Sequence, residues 1–146
     1  MRLVLILVAM LVGPAMAQER SPWLIEDRVS AIDGKRSFGA RYSEREAAFV
    51  VNCVDGTAVV GLMSESYSSL SNSTLALMRF GREEPMNRVW RVWRGQVLLD
   101  NGDARDILRK ALTVDAFHIR VAGTEVSVPM APLKERQSSI RASCGL

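Results

Sequence analysis

The pair Asp55-Gly56, set between two β-forming runs from Glu46 to Glu65, constrains this chain more than any other feature. Asp-Gly favours a two-residue type I′ turn, whose twist matches the strands it joins. The turn fixes a register: Cys53 stands opposite Ala58, and Val51 opposite Val60. Side chains alternate along a strand. Phe49, Val51 and Cys53 therefore share a face with Ala58, Val60 and Leu62, and every residue on it is apolar. This is the expected core face. The other face carries Val50, Asn52, Val54, Thr57, Val59 and Met63. Cys53 then points inward, where a partner from elsewhere in the chain can reach it.

The second cysteine, Cys144, lies 91 positions on. Its redox setting follows from the N-terminus. Met1-Arg2 is a short positive start, Leu3 to Val12 an unbroken apolar run, Gly13-Pro14 a break, and Ala15-Met16-Ala17 a small-residue exit. The pattern predicts a secretory signal peptide cleaved after Ala17. The run is too short for a spanning helix, which needs roughly 20 apolar residues. No cysteine follows it to carry a lipid, so no membrane anchor is expected after cleavage. The expected product is one periplasmic domain at 18–146. Two cysteines in an oxidising compartment favour a Cys53–Cys144 disulfide. Two free thiols, or a bridge between chains, are the alternatives. A bond within the chain would close most of the domain, for which loop entropy gives about 4–5 kcal/mol.

Charge narrows the partners. The chain has 19 basic and 16 acidic residues, a formal net charge of +3, and no long basic run. Nucleic-acid binding needs a concentrated basic face, and none is visible. All but three of the basic residues are arginine, the better side chain for bidentate carboxylate pairing and aromatic stacking.

Further elements follow from periodicity. Trp23 to Ser30 fits a strand or an amphipathic turn, Ser37 to Tyr42 a strand, and Glu44 to Glu46 an exposed loop. Ser66 to Ser73 is expected as loop, Thr74 to Phe80 as strand, and Gly81 to Asn87 as a polar connection. Arg88 to Arg94 and Gln96 to Leu99 look extended, with a break at Gly95 and a turn at Asn101-Gly102. From Asp103 to Leu112 the period becomes helical, with Asp103 as the expected cap. Ala116 to Val121 alternates again, with Phe117, Ile119 and Val121 on one face; Glu125 to Met130 is the last strand. Pro132 suits a first helical position. Leu133, Gln137, Ile140 and Cys144 keep helical spacing up to Gly145, a helix-ending residue. The expected fold is mainly β with two short helices (α+β). It is an antiparallel β-sandwich or small barrel, with a C-terminal helix tied by the disulfide.

Catalytic signals are sparse. His118 is the only histidine, on the polar side of its strand. No Gly-x-Ser-x-Gly signature marks a nucleophile. One His and two distant Cys make a poor zinc set, and no phosphate loop or calcium loop is present. No catalytic residue, metal or cofactor is expected. The run Arg88-Val-Trp90-Arg91-Val-Trp93-Arg94 is the best candidate for partner binding, because Trp and Arg are enriched at binding hot spots. The bland reading puts one Trp in the core and the other beneath an Arg on the outside.

Several of these residues together resemble a known family. In order they are Trp23, Asp27 with Ser30, Ile32-Asp33, the strand Ala48 to Cys53, and Thr57 to Val60. Trp90, the helix Ile107 to Leu112, the strand Ile119 to Val121, and Cys144-Gly145 complete the set. The pattern resembles the VasI/TagO family of proteins associated with bacterial type VI secretion. It departs at Leu146, where that family often has an aromatic residue, and across Ser64 to Ser73. The resemblance implies a small, non-catalytic periplasmic accessory protein whose partner is an envelope or secretion-system protein. The alternative is a periplasmic inhibitor of a cell-wall hydrolase such as lysozyme. It would present the loop Gly81 to Asn87 with its two acids.

Overall fold

The structure is a computed structural model and describes residues 21–146. The expected leader at 1–17 lies outside the described residues. The described chain folds as β1 (Trp23–Val29), β2 (Arg36–Glu44), β3 (Ala47–Val54), β4 (Thr57–Ser64), a 3-10 turn (Glu65–Ser69), β5 (Ser73–Phe80), β6 (Met86–Trp93) and β7 (Gln96–Asp100). Then come α1 (Asn101–Ala111), β8 (Ala116–Val121), β9 (Thr124–Pro129), α2 (Ala131–Lys134) and α3 (Gln137–Cys144).

The strands form one nine-stranded sheet in the order β1-β2-β3-β4-β7-β6-β5-β8-β9, and every pairing in it is antiparallel. The sheet curls into a half-barrel. Of the two expected architectures, this is the barrel-like one. Curling brings β9 against β2 and β3. Phe49 on β3 meets Phe117 on β8 with ring centroids 5.7 Å apart, and Phe80 stacks on Phe117 at 5.0 Å. Such aromatic pairs add about 0.5–1.5 kcal/mol beyond their burial.

The β3–β4 hairpin follows the register expected from Asp55-Gly56: Cys53 pairs with Ala58 and Val51 with Val60. Asp55 and Gly56 both have positive φ, at 49° and 83°, as a type I′ turn requires. The predicted core face is buried throughout. It lines the concave side of the sheet, where the helices sit. The apolar side of α1 (Ala104, Ile107, Leu108, Ala111) is buried as the helix packs on β4 and β7, while α3 packs on β2, β3 and β4. Cys53 and Cys144 form the expected disulfide.

Three expectations change. Asn101-Gly102 is not a separate turn but the opening of α1, so the helix starts before Asp103. The Asp103 carboxylate caps nothing and pairs instead with Arg88. Glu44 is not in a loop: it ends β2, and its carboxylate accepts a hydrogen bond from the Ser127 N–H at 2.9 Å. The C-terminal helix is not continuous, because the chain leaves helical geometry at Arg136 (φ −104°, ψ 17°). Pro132 lies in the first turn of α2. Gly145 ends α3 in the left-handed region with φ 69°, which a glycine reaches without steric cost.

Candidate functional site

Alternation on β6 splits the Arg88–Arg94 run between the two sides of the sheet. Arg88 and Trp90 face the concave side. Trp90 is fully buried, paired across from Thr74, so it belongs to the core and leaves the candidate contact set. Arg88 is half-buried and held by Asp103. Arg91 and Trp93 face outward. Arg91 donates to the Asp100 carboxylate at 2.7 Å. The Arg94 guanidinium sits 4.8 Å from the centroid of the Trp93 ring, a stacked cation–π contact.

The outward face of β6 gains neighbours that the run alone did not reveal. Val89 stands directly across from Leu75 on β5, and Arg91 across from Leu98 on β7. Leu75, Val89 and Trp93 are 60%, 61% and 49% exposed. Cross-strand partners lie within roughly 5 Å of each other. Val89 and Trp93 lie four positions apart on the same face. The convex side thus carries an apolar patch with Arg91 at its centre and Arg94 at its rim. Leu75 and Val89 were missed in the sequence because each sat in an ordinary β pattern; only the pairing of β5 with β6 makes them neighbours.

His118 has a partner that the sequence did not predict. Ser127 is its cross-strand neighbour, and His118 Nδ1 lies 2.9 Å from Ser127 Oγ. Glu44 completes a chain, but it binds the Ser127 backbone N–H and not the imidazole. A Ser–His–acid relay needs the acid on the histidine. The contact instead closes the outer edge of β9, where Glu44 takes one edge N–H and Pro129 has none to offer. Among the described residues, no group of three or more His, Cys, Asp or Glu side chains could hold a metal ion.

The loop after β5 is pinned rather than projecting. Gly81 N–H donates to the Ala116 carbonyl at 2.9 Å, and Glu83 pairs with Lys110 of α1 at 2.6 Å. Lys110 also lies over the Phe80 ring at 4.8 Å. One of the two acids offered for an inhibitory loop is therefore engaged within the molecule. Among the described residues, no helix is long and apolar enough to cross a membrane. The chain matches no family model, no curated protein and no solved structure.

Proposed function

We propose that the protein is a non-catalytic accessory protein of the bacterial periplasm that binds a protein of a type VI secretion or related envelope system. The observation that carries this reading is the convex patch of Leu75, Val89 and Trp93 around Arg91. Exposed apolar clusters ringed by polar groups mark interaction sites, and Trp with Arg supplies the usual anchors. The disulfide is compatible with an oxidising compartment. The resemblance in sequence motifs supplies the envelope system.

The test is site-specific photo-crosslinking from position 93 in the bacterial envelope, followed by mass spectrometry. A secretion or envelope component should be captured, and Val89→Ser with Arg91→Ala should reduce its capture at least fivefold. Equal capture by the variant would place the contact elsewhere. Inhibition of lysozyme by the purified protein at micromolar concentration would favour the inhibitor reading instead.

A further inference from the structure

A cleft of about 840 Å³ opens on the convex side at the end of β2, β3, β4 and β7. Its floor crosses four strands through Ser43, Ala48, Met63 and Gln96, which the sheet register places in one row. The rim is built by the β2–β3 turn at Arg45-Glu46, the 3-10 turn at Glu65–Ser69, and the β6–β7 turn at Arg94-Gly95.

Three arginines line it: Arg41, Arg45 and Arg94. None forms an ion pair among the described residues, which leaves their charge uncompensated as it is at Arg36, Arg79 and Arg82; what sets the three apart is that they converge on one cleft. Two of the three stand where an arginine is costly. Arg45 and Arg94 have φ of 52° and 48°, the left-handed region that Gly, Asn and Asp ordinarily fill in tight turns. Asp55 fills the same place in the β3–β4 turn. Unusual backbone kept at a cleft is grounds for a functional hypothesis.

We infer that this cleft binds an anionic saccharide, with the three guanidinium groups receiving its carboxylate or phosphate oxygens. A guanidinium fork matches such groups in two-point fashion. The rest of the lining selects the scaffold. Ser43 and Gln96 offer uncharged donors and acceptors, and Glu46 and Glu65 can accept from sugar hydroxyls. A glutamate peptide has no side-chain hydroxyls to donate to these two carboxylates and meets them only with like charge. Trp93, stacked under Arg94, extends the rim with an aromatic face. The site adjoins the protein contact proposed above and shares Trp93 and Arg94 with it, whereas Arg41 and Arg45 belong to the cleft alone.

The experiment is calorimetric titration of the full mature protein with four probes. They are a hexagalacturonate, a phosphorylated mannopentaose, neutral maltohexaose and a hexaglutamate peptide. At least one anionic saccharide should bind at least tenfold more tightly than maltohexaose and hexaglutamate, and binding should weaken with salt. Which of the two binds assigns carboxylate or phosphate as the preferred group. Replacing Arg41, Arg45 and Arg94 together by Gln should weaken binding at least tenfold. A control with the exposed Arg36, Arg79 and Arg82 replaced by Gln has the same net charge and should bind as the parent does. Circular dichroism establishes that both variants are folded. The inference falls if neither anionic saccharide binds at millimolar concentration, if hexaglutamate binds as tightly, or if the two triple variants lose affinity equally.

Discussion

A methyl group at Gly61 would sit 2.6 Å from Leu98 Cδ2 and 3.0 Å from the Val97 carbonyl oxygen. Gly61 pairs with Leu98 across the β4–β7 seam, and the missing side chain lets Leu98 fold over the strand into a nearly buried position. Overpacking such a contact costs about 1–3 kcal/mol. Gly61→Ala should therefore lower the free energy of unfolding, measured by denaturant titration, by that amount. Combined with Leu98→Ala, the two losses should be less than additive, by at least about 0.5 kcal/mol. Additive losses would mean the two residues do not clash. Nothing in the run around Gly61 announces this contact, because β7 arrives from far along the chain. Burial also shapes ionisation at single residues. It pushes the Tyr67 phenol above its ordinary 10.0, and burial followed by the Glu44 charge does the same for Tyr42. A folded value above the unfolded one favours the protonated, folded form. That stabilisation is complete below pH 10 and is lost as pH rises through the folded values. Alkaline absorbance titration should show both tyrosines ionising above pH 10, with unfolding stability falling over the same range. Ionisation of either at pH 10 or below in the folded protein would contradict the burial.

Among the elements, the two-residue turns show where local preference and structure part company. Asp55-Gly56 satisfies its turn chemistry, and the β3–β4 hairpin was legible residue by residue for that reason. Arg94-Gly95 and Ala122-Gly123 share its positive φ values without an Asn or Asp in the first place. A non-glycine residue pays about 1–2 kcal/mol in the left-handed region, less for Asn and Asp. Arg94→Asn and Arg45→Gly should each raise stability by about 1 kcal/mol, seen as a rise of a few degrees in thermal midpoint. If either variant is less stable than the parent, the arginine makes contacts that outweigh its backbone cost. The start of α1 departs from the expected Asp103 for a related reason. Asn101-Gly102 carries turn chemistry, and Asn101 does take a positive φ of 52°, yet the helix includes it. The apolar period of Ile107, Leu108 and Ala111 continues into that first turn through Ala104, which is buried against the sheet. Tertiary packing, rather than the cap residue, set the boundary. The interruption at Arg136 has no such sequence mark, since Leu133, Ile140 and Cys144 keep helical spacing across it.

For the molecule as a whole, the core was legible and the surface site was not, and the reason is physical. Core residues repeat with the period of their own element, so Phe117, Ile119 and Val121 declare their face locally. A cleft gathers residues by strand order. Arg41 and Arg94 share one only because β2, β3, β4 and β7 lie side by side, and no local spacing encodes that. Strand order also gives the disulfide its weight. The bond joins β3 to the last residue of α3, and the enclosed segment of chain carries β4 through β9. Closing a loop of this length removes about 4–5 kcal/mol of chain entropy from the unfolded state in the loop model, with measured values spread from about 0 to 5. Other contacts hold the same corner. Gly56 N–H donates to the Ser143 carbonyl at 2.8 Å, and Arg105 Nη1 to the Gly56 carbonyl at 3.1 Å. Replacing both cysteines by Ala should therefore leave a folded sheet that is about 3–5 kcal/mol less stable. Hydrogen exchange should rise first along α3 and at the β3–β4 turn, while β5, β6 and β8 stay protected. A loss below about 1 kcal/mol would show that the Gly56 contacts dock the terminal helix unaided. Collapse of protection across every strand at once would show that the half-barrel cannot close without the bond.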